Sequence, residues 1–333
     1  IRTYSFVSNH RTKGIAISRR FTLQTYRYLL KKLLFMIPIL LLVSVATFIL
    51  VDCTAGDPAR VMLQGSTGNP SEESVQLLQQ ELGLDQPKIV QYFQWLGNVL
   101  RFNFGNSYVS SRPVIWELLN RVPVTLGIAI LGIIIVLLIS IPLGILAAIR
   151  KNTWLDHVIQ IFSVFTVCVP AFWLGLGLLI LFGIVLHSMN IIGGAVGIWI
   201  WIPALSIALG YTGQYIGLLR DNMIDVLERP YIKAAKVRGI NPFRIIMQHA
   251  LKNAFIPLLT KLGITFGTFL GGTVIIESVF SINGVGFYVM ESIKDKDIPV
   301  IQAFVLLISF TIVILNLLVD LLYAYIDPRI TLR

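Results

Sequence analysis

Six apolar stretches dominate the chain, at approximately 33–51, 124–149, 158–186, 201–219, 255–280 and 300–325. Each is close to or longer than the roughly 20 residues a helix needs to cross a bilayer. Backbone amides inside hydrocarbon must find partners within their own segment, so each stretch is expected as an α-helix. The chain is therefore an all-α polytopic membrane protein by its pattern. Its 333 residues are 56% apolar and only 13% charged, where soluble proteins carry about 25% charged residues. Mean hydropathy is +0.79. The third stretch is long enough to tilt or to include interfacial residues. Pro142, Pro170 and Pro203 fall inside stretches and are expected to kink or break them.

A net charge of +10 would suggest nucleic acid for a soluble protein, but in this context it serves orientation, and no nucleic-acid partner is expected. With the N-terminus inside, 19 Lys and Arg fall on the inner side and seven outside, with Lys261 within a span. That excess puts both termini in the cytoplasm. The expected organisation is a basic arm at 1–26, a first transmembrane helix at 27–51, and an extracytoplasmic cap at 52–121. A five-helix core at 122–325 and a tail at 326–333 follow.

The cap carries helix signals of its own. Asn69-Pro70-Ser71 before Glu72 and Glu73 supplies capping oxygens, a proline suited to an early helical position, and acids near the positive end of the helix dipole; Gly83 ends the helix. A second stretch, 89–100, spaces Ile89, Tyr92, Phe93, Leu96 and Leu100 helically, with Trp95 as a candidate interfacial anchor.

Within the spans, Gly263, Gly267 and Gly271 recur every four residues, as do Gly213 and Gly217. Such stripes let another helix approach closely, either from this chain or from a partner subunit. Ionisable groups in the spans are Lys261, Glu277 and Asp320. Lys261 and Asp320 lie toward inner ends and Glu277 toward an outer end, which suits snorkelling or local pairing better than a proton relay. Glu277 is nonetheless a candidate for lining a pathway. His187, Cys53 and Cys168 stand alone, and no metal set is expected. The chain contains no Gly-x-x-x-x-Gly-Lys phosphate loop, no His-Glu-x-x-His, no Gly-x-Ser-x-Gly and no Cys-x-x-Cys. Without catalytic groups, transport is the role left open.

The segment 220–254 is charged and punctuated. Pro230 opens a helix through Tyr231, Lys233, Ala234, Ala235 and Lys236; Arg238 follows, and Gly239 suits the left-handed position past its end. Asn241 and Pro242 then cap and open another helix. A short rigid helix joined stiffly to the membrane can pass motion from a soluble partner to the bundle.

Ala234-Ala235-x-x-x-Gly239, with Pro257 downstream, resembles the coupling motif of ABC importer permeases, although Lys233 stands where that motif has glutamate. Further stretches resemble the dipeptide, oligopeptide and nickel branch. These are Gly56-Asp57-Pro58-Ala59, Gly83-Leu84-Asp85-Gln86-Pro87, Phe104-Gly105-Asn106-Ser107, Gly271-Gly272-Thr273 through Glu277, Asn283-Gly284-Val285-Gly286 and Asp327-Pro328-Arg329. The resemblance spans about residues 27 to 330. It implies a six-helix type I importer permease in a bacterial cytoplasmic membrane, paired with a homologous second permease. Two ATPase subunits holding ATP and Mg2+ would dock on Tyr231, Lys233–Lys236, Arg238, Gly239, Asn241 and Pro242, and an extracytoplasmic binding protein would sit above. Cofactors are then expected on the ATPases and none on this chain. Short peptides are the expected cargo, with nickel or a nickel chelate as the alternative. An ion-coupled secondary transporter is the competing class.

Overall fold

The computed structural model describes residues 32–51, 59, 60, 62, 63, 70–81, 83–185 and 200–326, with side chains described as far as 318. The basic arm, Cys53, Gly56-Asp57-Pro58, Asn69, His187, the Asp320 side chain and Asp327-Pro328-Arg329 lie outside the described residues.

Helix α1 spans Lys32–Val51. Two cap helices follow, α2 at Glu72–Glu81 and α3 at Lys88–Leu100. The core helices are α4 (Val114–Ile149), α5 (Trp154–Cys168), α6 (Ala171–Leu179) and α7 (Trp201–Leu227). Beyond them lie α8 (Pro230–Val237), then α9, which starts at Pro242–Arg244, widens to a π-helix over Ile245–Ala250 and narrows again over Leu251–Ala254. Helices α10 (Ile256–Val279), α11 (Val285–Lys294) and α12 (Ile298–Ile326) complete the bundle. Five of the described helices are long and apolar enough to cross a membrane, and a bent pair brings the number to six when the pair is counted as one span.

That pair corrects the expected third span. Helices α5 and α6 meet at 96°, because Pro170 can give no amide hydrogen to the helix and drives Val169 into an extended conformation. Pro142, by contrast, sits inside α4 without ending it, as does Pro123. Pro203 is the third residue of α7, where an amide hydrogen would have no partner in its own helix.

Two expected boundaries also move. Helix α4 begins at Val114, inside the segment 52–121 expected as the cap. The first turns of α4 belong to the bundle because Val114 and Leu118 are buried with Val285 and Val300. At about 1.5 Å per residue the helix is roughly 54 Å long, well beyond the hydrocarbon thickness. Likewise α7 continues through Leu227, so the polar segment opens at 228 and not at 220. Met223 and Val226 are buried, and Arg220 is neutralised within the bundle. Its Nε and Nη2 donate to Oδ1 and Oδ2 of Asp156 on α5, both at 2.7 Å. Asp156 also accepts from Gln160 Nε2 and the Asn152 amide, each at 2.9 Å, and is fully buried.

Helix α7 is the centre of the core. Helices α4, α5, α6 and α10 all pack on it, and Ile207, Tyr215, Leu219 and Met223 join Val136, Ile145 and Phe269 in one cluster. Close approach is set by glycines. A methyl group on Gly213 would strike the Ser163 carbonyl of α5, one on Gly132 would lie 2.8 Å from Phe269, and one on Gly144 would lie 3.0 Å from Leu219. Gly213 thus packs inside this chain, whereas Gly217 has nothing within 4 Å. Gly213→Val is therefore expected to lose about 1–3 kcal/mol by overpacking against rigid backbone, and Gly217→Val little. Thermal stability in detergent checks this, and equal losses at the two sites would contradict the packing described.

At the end away from the charged segment, the loop 101–113 is clipped to the start of α12. Ser107 Oγ donates to Asp297 Oδ2 at 2.5 Å and the Tyr108 amide to Oδ1 at 3.1 Å, with Asp297 buried. In the cap, Ser71 Oγ accepts the Ser74 amide and so caps α2, while Pro70 lies just before that cap rather than in the helix. Gly83 stands at φ 66° beyond the helix end. Trp95 and Tyr92 of α3 pack on Phe48 of α1, and Tyr92 Oη shares a 2.8 Å hydrogen bond with Ser44. The cap is thereby tied to the flank of the first span.

Candidate functional site

The charged segment folds as its local chemistry demands. Pro230 occupies the first position of α8. At the other end, the Gly239 amide donates to Lys236 O at 3.0 Å and the Ile240 amide to Ala235 O at 3.2 Å, with Gly239 at φ 72°. This pair of bonds is a Schellman closure, which needs a left-handed residue where glycine stands. Asn241 Oδ1 then accepts the Phe243 amide at 2.9 Å and Pro242 opens α9. Fully buried Ile232 pins α8 beneath the core, and Ile245, Ala250 and Ala254 pin α9. Asn253 Nδ2 donates to Tyr231 Oη across the two helices at 3.2 Å.

The surface so held differs in emphasis from the sequence expectation. Ala234 is exposed, but Ala235 is half-buried against the core. The outward face is instead apolar: Val237 is 88% exposed and Phe243 68%, with Tyr231 and Met247 also open. Lys233, Lys236, Arg238 and Arg244 surround them, all exposed. An apolar centre with a charged rim is the anatomy of a protein contact. Val237 and Phe243 went unrecognised because helices this short have no periodicity to separate buried from exposed apolar positions. Thr153-x-x-Asp156 ahead of an apolar run is a helix-start signal that places Asp156 in the first turn of α5, but Arg220, 64 residues away, leaves no local signal of the pair.

Glu277 does not line an opening. It is fully buried and accepts from Thr125 Oγ1 at 2.7 Å and from the Phe287 amide at 2.9 Å, while the Val285 amide donates to Thr125 Oγ1 at 2.9 Å. The carboxylate thus caps α11, taking up first-turn amide hydrogens that no carbonyl of their own helix can reach. A side chain at Gly284 would collide with it. Its pathway role is replaced by a locking role between α4, α10 and α11.

One face of α10 remains uncovered: Thr260, Ile264, Thr268, Gly271 and Ile275 are exposed along it. Gly263 is buried, a methyl group on Gly267 would meet Ile312 of α12 at ordinary contact distance, and one on Gly271 would have nothing within 4 Å. The three therefore do not form one tight contact inside this chain. Beside this face lies a cleft of about 490 Å³ between α7 and α10, where Gln214, Lys261 and three threonines sit among Tyr211, Pro257 and Ile264.

Comparison with known proteins bears on this arrangement. A family model described as the binding-protein-dependent transport system inner membrane component matches residues 140–332, and its N-terminal companion matches 25–129. The chain belongs to this family. It is a permease subunit of an ABC importer and a multi-pass membrane protein. The permease is 38% identical over 301 residues, covering 90% of each chain, to the nickel import system permease protein NikB of Staphylococcus aureus strain USA300. A chain from inward-facing structures of the MetNI methionine ABC transporter superposes with TM-score 0.52 at 17% identity, covering 64% of this permease and 97% of that chain. A second crystal form gives 0.53 at 18%. Identity this low speaks to the fold alone.

Proposed function

We propose that this permease forms half of the translocation pathway of an ATP-driven importer in a bacterial cytoplasmic membrane, with both termini inside. It would assemble with a homologous second permease across the open α10 face, two ATPase subunits that bind ATP and Mg2+, and an extracytoplasmic binding protein above the cap. The observation that carries this reading is the uncovered apolar and cationic surface of α8 and α9, rigidly capped and pinned through Ile232. ATPase closure would move that surface and, through α7 and α10, the pathway face. Tyr231, Lys233, Ala234, Lys236, Arg238, Asn241 and Pro242 are the proposed contact positions, joined by Val237 and Phe243, while Ala235 and Gly239 shape the turn.

The likeness to NikB supports a nickel-bearing cargo. Short peptides, the first expectation from the sequence, become the second reading, favoured by the Thr and Gln side chains of the cleft, which suit amide groups better than a bare metal ion. Reconstitution of the permease with its partner subunits and binding protein is expected to give ATP-dependent uptake of radiolabelled nickel or labelled dipeptide into vesicles. Gradient-driven uptake by the permease alone would refute the assignment.

A further inference from the structure

The cleft between α7 and α10 is lined by Tyr211, Gln214, Thr260, Lys261, Thr265 and Thr268 among others. Pro257 and Ile264 complete a mixed lining, and an ionisable side chain such as Lys261 on a membrane-crossing helix almost always faces the bundle interior or a water-filled cavity. Its volume of about 490 Å³ falls within the roughly 300–1,000 Å³ of small-molecule sites. Lys261 is the one charged side chain among these lining residues. Its Nζ stands 5.5 Å from the centre of the Tyr215 ring, and Tyr215 is held in place by donating to Thr265 Oγ1 at 2.8 Å. No carboxylate among the described residues pairs with Lys261: the ion pairs of α4, α5 and α7 are Glu117 with Arg112 and Arg121, and Asp156 and Asp221 with Arg220. Simple snorkelling would carry the ammonium toward headgroups; here it turns over an aromatic ring into the cleft. A cation within a span with no carboxylate partner among the described residues is costly, and a cargo carboxylate offsets that cost only while it is passing.

We infer that Lys261 is a cargo-contacting residue that receives a carboxylate, either of an anionic metal chelate or of a peptide C-terminus. This rests on the importer reading above and adds the charge class of what passes. It disfavours a bare divalent cation, which would meet a like charge and no metal ligand along these residues.

The test uses the complete importer in proteoliposomes, with radiolabelled nickel–citrate and labelled dialanine as probes. Lys261→Gln is expected to raise the KM for uptake by about tenfold or more while leaving binding-protein-stimulated ATP hydrolysis in place. Lys261→Arg is expected to restore uptake. Loss confined to nickel–citrate assigns the chelate, loss confined to dialanine assigns the peptide, and loss of both supports the shared carboxylate. Parental uptake of both probes in Lys261→Gln would overturn the inference. Should that variant fail to assemble, Gln214→Glu, which puts an acid into the same cleft, takes its place: lowered uptake supports the inference, and unchanged uptake overturns it. A parent importer that moves neither probe with ATP would instead sink the importer reading itself.

Discussion

Asp156→Ala is expected to destabilise the permease by about 3 kcal/mol, the lower end of the cost of breaking a buried ion pair. Asp156 is fully buried, Arg220 forks onto both of its oxygens, and Gln160 and the Asn152 amide complete its shell. Removing the acid leaves the guanidinium between α5 and α7, about two turns above the polar segment, with only the exposed Asp221 at 3.0 Å as a partner. The contrast with neighbouring pairs is informative. Lys151 and Glu228 also bridge that end at 3.0 Å, but both are exposed, so Lys151→Ala should change stability by no more than about 1 kcal/mol. Thermal unfolding in detergent measures both. The double variant Asp156→Leu with Arg220→Met should recover most of the loss, since apolar replacement of a complete buried pair is often neutral. Additive losses in the double variant would show that the two residues do not act as a pair.

Gly239→Pro is expected to abolish coupling. Proline requires φ near −65° and has no amide hydrogen, whereas Gly239 stands at φ 72° and donates to Lys236 O. Both halves of the Schellman closure fail, and α8 loses its fixed angle to α9. The membrane bundle does not depend on this turn, since nothing lies within 4 Å of where a Gly239 side chain would start. Insertion and assembly of the spans should therefore persist while stimulation of ATP hydrolysis by the loaded binding protein falls by at least about tenfold, roughly 1.4 kcal/mol or more of coupling. An intact stimulation would mean that the angle between α8 and α9 carries no signal.

What the sequence made legible divides by range. Hydropathy located the five long apolar helices and the bent pair, and the Gly239, Asn241 and Pro242 turn was readable because its bonds join residues at most five apart. Pro170 was recognised as a disruptor, but whether a proline bends or is absorbed depends on neighbours: Pro142 is carried inside α4. Glu277 was misjudged because its partner Thr125 is 152 residues away and its amide donors belong to another helix. Lys261 was taken for a snorkelling side chain, and only the register of α7 beside α10 reveals the ring of Tyr215 beneath it. The glycine stripe of α10 had two readings open, and the exposed Gly271 favours a neighbour from outside the chain.

The central claim is that the face formed by α8 and α9 is where a partner ATPase takes hold. Val237, at 88% exposure, can be changed without disturbing the core, so Val237→Glu isolates docking from folding. In the reconstituted importer, ATP hydrolysis stimulated by loaded binding protein should drop by at least about tenfold in this variant, the effect of placing a charge at an apolar contact centre, with the permease still inserted and stable. Stimulation and uptake equal to the parent would contradict the account.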